Sequence, residues 1–437
     1  MTFPIRWATM QQYLEMRHHG KLARIRMVSD GAFEYAKNTK VIPMLTTNLP
    51  SNQQYVLALV RESLGIPTEY PTSVDPYDIV KIILHNRILL TVYPALKAQA
   101  SRQDSNVENT AAKLLRYLHS YMLPDIGRTT LQDYEGNRIL EALSGAGLDC
   151  IPLKGWELRN YYPERIMRHM CDLDILVRPY KYSKIRDIME GLGFSASHES
   201  SWKHDNFTKD VVLVEMHKRL TDDSSIIGQW ENSVWDRALR HNGNIFRMSN
   251  DDYYIFHFLH LKKDFANGSL ILKRIIDTWL LRNSVDDRDS VNSLLESFGM
   301  SLFHERMVRL AGVCMGEYEM DDDSRVMLDY AMNYSIKNSS ETYKLGRIAS
   351  MSGGKSMWLG KLKSFTAAIF LPFHRMKAHY PLLKKVPILL PYFWIKRIFS
   401  LLSGNTQKYR QMLDYSDIDK SDYETAKRFL RAGGIEK

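Results

Sequence analysis

The chain predicts an α+β protein: a small mixed α/β core of roughly 110 residues, flanked by helical regions on both sides. Three observations support this. Apolar residues recur at three- and four-residue spacing before residue 130 and again after residue 251. Between about 136 and 250 the texture changes to short apolar runs punctuated by glycine. The 437 residues, 44% hydrophobic and 25% charged, match an ordinary globular composition with room for two or three domains.

Four regions follow from this texture: a helical region over 1–130, the α/β core over 131–250, a second helical region over 251–345, and a basic, aromatic segment over 346–437. In the first, "SNQQYVLALVRESLGI" and "DPYDIVKIILHNRILLTVYPALKAQ" read as amphipathic helices capped by Ser51 and Asp75. "NVENTAAKLLRYLHSYMLP" is another, with Pro124 expected to stop it. In the core, "NRILEALSGAGLDCIPLKG" predicts a helix, a glycine turn and a strand ending at Lys154–Gly155, and "GWELRNYY" opens a helix. "RHMCDLDILVRP" predicts a second strand. "YSKIRDIMEGLGF" predicts a helix closed by Gly191 and Gly193, and two or three strands follow, the clearest being Val211–His217. In the third region, "DDYYIFHFLHLKKDF" and "SLILKRIIDTWLLRN" carry wide apolar faces, whereas "SVDDRDS" and "EYEMDDDSR" read as solvated loops. Gly353–Gly354 reads as a linker.

The chemistry concentrates in the core. Strand side chains alternate faces, so Asp172 and Asp174 share one face while Leu173 and Ile175 share the other. Two carboxylates this close repel unless a cation lies between them. Mg²⁺ meets that need, because it takes one or two carboxylates and fills its remaining positions with water and phosphate oxygens. Glu215 on the later strand supplies a third carboxylate if a neighbouring antiparallel strand brings it alongside, and His217, on the same face, is placed to orient a carboxylate or phosphate. Three carboxylates suit two-metal phosphoryl or nucleotidyl transfer. Lys154 and Gly155, at a strand-to-helix turn, suit phosphate, and Arg168 is a further phosphate or carboxylate partner.

In this order the motifs resemble the bacterial uncharacterised nucleotidyltransferase family, within the wider nucleotidyltransferase superfamily. The matching stretches are "LKG" at 153–155, "RHMCDLDILV" at 168–177, "LGF" at 192–194 and "VEMHKRL" at 214–220. The resemblance extends over most of residues 75 to 400. It implies catalytic and metal-binding roles for Asp172, Asp174 and Glu215, and a phosphate-binding turn at Lys154 and Gly155. It implies an NTP as substrate, Mg²⁺ as cofactor and a hydroxyl acceptor that the family does not name. The sequence departs from the superfamily pattern at Trp156, where Ser or a second Gly is usual, and in its longer spacing from Gly155 to Asp172.

Other signals carry less. His257 and His260 lie one turn apart on one helix and read as structural more than as part of a metal site; Lys273, Arg274 and Asp277 share a helix and read as paired with each other or, less well, as facing the nucleotide. No Walker-type, G-x-S-x-G or H-E-x-x-H motif occurs. The net charge of +9 is uneven: residues 342–413 hold 13 Lys or Arg and no Asp or Glu, which leaves the rest of the chain at −4. That stretch interleaves aromatic runs with cations. It reads as a contact with an anionic membrane surface or as a helical lid, and less well as a nucleic-acid groove. Three cysteines without a CxxC, no apolar leader and no spanning run point to a reduced, cytoplasmic setting, peripheral to the inner membrane face if the basic segment touches lipid. The alternative to an enzyme is a non-catalytic binding or scaffolding protein on the same fold, peripheral to the membrane in an envelope-polysaccharide pathway.

Overall fold

The computed structural model describes residues 49–102, 110–197, 202–221, 226–334, 339–353, 355–402 and 418–435. Residues 1–48 and 103–109 of the expected helical region, Gly354 of the expected linker, and residues 403–417 and 436–437 of the basic segment lie outside the described residues.

Among the described residues, seven strands between 149 and 247 form one mixed sheet. They are β1 (Asp149–Pro152), β2 (Leu173–Arg178), β3 (Ser195–Ala196), β4 (His204–Lys209), β5 (Val212–His217), β6 (Leu239–Asn242) and β7 (Ile245–Arg247). Their spatial order is β3-β4-β5-β2-β1-β7-β6. With helices covering the sheet and extending beyond it, the chain is α+β as expected.

Around the sheet run α1 (Ser51–Ser63), α2 (Pro76–His85), α3 (Leu89–Ala100), α4 (Thr110–Gly145), α5 (Gly155–Leu158), α6 (Tyr182–Gly191) and α7 (Ile226–Arg237). Next come α8 (Asn250–Ala266), α9 (Leu272–Leu281), α10 (Arg288–Ser297), α11 (Ser301–Met315) and α12 (Asp322–Asp329). The remainder are α13 (Ser339–Ser352), α14 (Met357–Ile369), α15 (Phe373–His379), α16 (Leu390–Leu402) and α17 (Lys420–Ala432).

The period-2 alternation sorts the sheet's side chains into two cores. Leu173, Ile175 and Val177 of β2 and Val212, Val214 and Met216 of β5 pack with Ile185 and Met189 of α6 and the last turns of α4. On the other face, Ile151, Leu153 and Leu176 join the large core built by α8, α9 and α11. Asp174, Glu215 and His217 belong to this second face.

Several expectations are corrected. β5 pairs parallel with β2, not antiparallel, and the register sets Asp174 opposite Glu215. The expected stop at Pro124 does not occur: α4 runs 36 residues through it. Pro124 is exposed, so water can serve the carbonyl its missing N–H would have bonded. Pro50, not Ser51, holds the N-cap position of α1, whereas Asp75 caps α2 through Tyr77 N at 2.9 Å. The acidic stretches expected as loops cap helices: Asp287 accepts from Ser290 N, and Asp321 from Ser324 N. The α7 helix and the β6–β7 hairpin, turning at Gly243 with φ +54°, were not anticipated. "GWELRNYY" forms only one α turn followed by a 3₁₀ turn. At the far end, Phe429 of α17 stacks against Phe265 of α8 at 4.0 Å and Tyr330 at 3.9 Å, tying the C-terminal helix into the large core.

Candidate active site

Asp172 immediately precedes β2, and Asp174 is its second residue. Glu215 is carried alongside by the parallel pairing of β5. One oxygen from each of these three carboxylates lies within 4.8 Å of the others. The second anchor is the turn after β1. Lys154 adopts φ +43°, a left-handed conformation costly for a lysine, and its carbonyl accepts from Tyr253 Oη at 2.5 Å. This turn aims the Lys154 ammonium back at Asp174 Oδ1, 2.5 Å away. Gly155 follows because nothing larger fits: a Cβ there would sit 2.6 Å from Met170 Cγ and 2.7 Å from Arg168 Nη1.

His217 completes the contacts of Asp174, with Nε2 2.8 Å from the same Oδ1 and 3.3 Å from Glu215 Oε2. His204, opposite His217 in the β4–β5 register, brings Nε2 to 3.7 Å from Glu215 Oε1. Burial pushes the Asp174 carboxyl up, but Lys154 and His217 outweigh it and hold it well below the usual carboxylate range. Burial and the charge of Asp174 raise Asp172 to about 6. Burial opposes ionisation of Glu215 too, yet its hydrogen bond from His217 leaves it below the ordinary value. Burial disfavours the charged form of Lys154, and the neighbouring aspartates more than restore it.

A cavity of about 360 Å³ opens over these groups. The carboxylates Asp172 and Glu215 lie on its sheet side. Lys154, Lys203, Lys263, Lys273 and Arg274 bring cationic side chains to its wall. Arg274 is paired with Asp264 at 2.9 Å, and Lys273 donates to His169 O at 3.3 Å. Burial, with Arg168 close by, lowers Lys273 to about 7. The volume falls in the range of small-molecule sites, and the surplus of cations favours a polyanionic ligand.

The structure thus brings Lys154, Gly155, Asp172, Asp174, Glu215 and His217 to one place. Arg168 lines the same cavity, with its guanidinium committed to Asp277 through Nε–Oδ1 at 2.9 Å and Nη2–Oδ2 at 2.8 Å. Tyr162 Oη also donates to Asp277, at 2.9 Å. Asp277 therefore pairs with Arg168, correcting the expectation that it pairs with Lys273 or Arg274. His257 is structural, bonded to Thr278 Oγ1 at 2.9 Å, but His260 reaches the cavity. Sequence reasoning missed Lys203, His204 and Lys263. Counting back from Glu215 and His217 across a tight hairpin at Asp210, where φ is +51°, would have placed His204 opposite His217.

The all-oxygen set of Asp172, Asp174 and Glu215 fits a hard divalent ion by donor type and spacing. No curated protein and no solved structure matches the chain. The model of the family described as "Uncharacterised nucleotidyltransferase" matches residues 72–316, which include the whole sheet, Lys154, the three carboxylates and the helices that wall the cavity. With more than half of its length covered, the chain belongs to the uncharacterised nucleotidyltransferase family.

Proposed function

We propose that the protein is a Mg²⁺-dependent nucleotidyltransferase that joins the nucleoside monophosphate of an NTP to a hydroxyl acceptor and releases pyrophosphate. Family membership supports nucleotidyl transfer in general. The observation that carries the finer reading is the meeting of three carboxylates, two of which, Asp172 and Glu215, line a cation-walled cavity. Asp172, Asp174 and Glu215 are the proposed ligands of one or two Mg²⁺ ions, whose charge offsets that building on the phosphates. Lys154 and Gly155 line the path of the triphosphate, with Lys203, Lys263 and Lys273 extending the positive wall toward its β and γ groups. Arg168 acts through its pair with Asp277, which fixes the floor beneath Gly155. His217 holds Asp174 and Glu215 in place.

In the proposed step the acceptor oxygen bonds to the α-phosphorus and the bond to the bridging oxygen breaks, so that pyrophosphate leaves. The hydroxyl proton passes to a carboxylate. Asp172 suits this better than Glu215, because both oxygens of Glu215 face imidazoles. Positioning and charge neutralisation supply most of the rate. The test is binding of each NTP with Mg²⁺ by calorimetry, followed by label transfer from α-labelled NTP into cell extract. Asp172→Asn and Asp174→Asn should abolish transfer while the fold persists. Wild-type protein that binds no NTP, or variants that transfer as well as wild type, would overturn the reading.

A second reading concerns partners. Among the described residues no helix is long and apolar enough to cross a membrane. Yet residues 357–399 leave large apolar side chains in water: Trp358 is 70% exposed, Ile388 84% and Phe399 65%. Met376, Leu383 and Phe393 form a small core of their own beneath them. Lys361, Lys363, Lys384, Lys385, Lys396 and Arg397 lie in the same stretch, which has no acid. That pairing of apolar surface and positive charge complements an anionic bilayer, with the aromatics in the headgroup layer. A reduced cytoplasmic location, against the inner membrane face, belongs to this reading. Vesicles containing anionic lipid should sediment the protein, neutral vesicles should not, and added salt should release it. If the protein is a scaffold and not an enzyme, this binding is its activity, and it survives Asp172→Asn while no transfer is found.

A further inference from the structure

The cluster around Glu215 has two corners of different chemistry. One is the oxygen-only group of Asp172, Asp174 and Glu215. The other is His204, Glu215 and His217, whose donor atoms also lie within 4.8 Å of one another. The β4–β5 hairpin creates this second corner by setting His204 directly across from His217, with ring centroids 5.1 Å apart.

The two rings converge on one carboxylate. His217 Nε2 lies 3.3 Å from Glu215 Oε2, and His204 directs its own Nε2 at the other oxygen of Glu215, 3.7 Å away. Two imidazole nitrogens and an acid thus form one donor set, with Asp174 Oδ1 beside it, 2.8 Å from His217 Nε2. The Nδ1 of His217 lies 3.3 Å from the carbonyl of Arg219, which orients the ring with Nε2 toward the acids.

We propose that His204, Glu215 and His217 form a nitrogen-bearing metal site that takes a divalent transition ion of the Zn²⁺ class in preference to Mg²⁺. Ions bound at about 2.1 Å separate neighbouring ligand atoms by about 3.0–3.4 Å, close to the contacts of 3.3 and 3.7 Å here. Imidazole selects zinc, copper, iron and nickel, whereas an all-oxygen set selects magnesium and calcium. The bond from His217 Nδ1 to a backbone carbonyl is the outer contact that orients a metal-binding histidine. Glu215, with one oxygen toward each ring, would join the two corners. The inference deepens the proposed active site and rests on that reading only for a part in turnover; the binding site stands on its own residues.

The experiment is calorimetric titration of the full chain with Zn²⁺ in a large excess of Mg²⁺, with the visible spectrum of the Co²⁺ form as a second readout. Wild type should bind Zn²⁺ despite the Mg²⁺, and Co²⁺ should give the band of a nitrogen-ligated ion. His204→Ala and the more conservative His204→Gln should each weaken Zn²⁺ binding about tenfold or more and change that band. Asp172→Asn, outside this corner, should leave both largely intact. Circular dichroism confirms that each variant is folded. Equal Zn²⁺ affinity in wild type and both His204 variants, or displacement of Zn²⁺ by Mg²⁺, would overturn the proposal. Zn²⁺ binding that depends on His204 in a protein with no nucleotide transfer would sustain the metal site and remove the transferase reading; transfer without such binding would do the reverse.

Discussion

At the scale of single residues, a buried ion pair backs the wall of the cavity, which Arg168 lines. Arg168 and Asp277 are both almost fully buried, and Tyr162 adds a third bond to the carboxylate. Burial disfavours the Asp277 anion, yet the guanidinium holds its carboxyl down at about 2. Breaking one side leaves the other charged and unpaired in the interior, which costs about 3–5 kcal/mol. Asp277→Asn should therefore lower stability by about that amount in urea unfolding. The double variant Arg168→Met/Asp277→Met should recover much of it, because an apolar pair of similar volume avoids desolvating charge. Equal loss in the single and double variants would show that Arg168 acts by shape and not by charge. The sequence made Asp172 and Asp174 legible as a pair because D-x-D on an apolar strand is a local pattern. Asp277 was visible as a residue but not as the partner of Arg168, since the contact joins positions 109 residues apart.

At the scale of elements, local signals worked where the chain decides locally. Gly193, with φ +88°, ends α6 as expected, and buried Phe194 follows it into the sheet-side core. The Asp75 cap was legible for the same reason. Parallel pairing of β2 with β5 was not, because strand alternation gives faces and not directions. Pro124 is the instructive failure. Propensity says a proline ends a helix, but α4 is anchored at both ends, by Leu114 and Leu118 before it and by Ile139, Leu140 and Leu143 after it. Burial of those side chains outweighs one missing hydrogen bond. Pro124→Ala should therefore restore that bond and raise stability by about 1–3 kcal/mol, read as a higher urea midpoint with an unchanged slope. A lower midpoint would mean that a bend at Pro124 is needed to seat both ends of α4.

At the scale of the whole molecule, the helices that enclose the cavity also bury histidines, and this sets how the fold responds to acid. Burial holds His257 at about 3. Burial together with Lys273 holds His169 at about 3, and burial with Arg288 holds His304 at about 4. In the unfolded chain each titrates near 6.5. Between about 6.5 and these lower values the unfolded chain takes up protons that the folded protein refuses. Their contribution to stability is therefore fully present above about pH 6.5 and is lost as pH falls toward 4 and 3. For His257 alone the loss by pH 5 is about 2 kcal/mol, and the three act in the same direction. Urea unfolding at pH 7.5, 6 and 5 should show a steep decline that begins below 6.5. His257→Gln keeps a partner for Thr278 and removes the titration, so it should flatten the decline even if it lowers stability at pH 7.5. A stability curve level from pH 7.5 to 5 would mean that these rings gain protons without opening the fold, and hence that water reaches the helical core at α8 and α11.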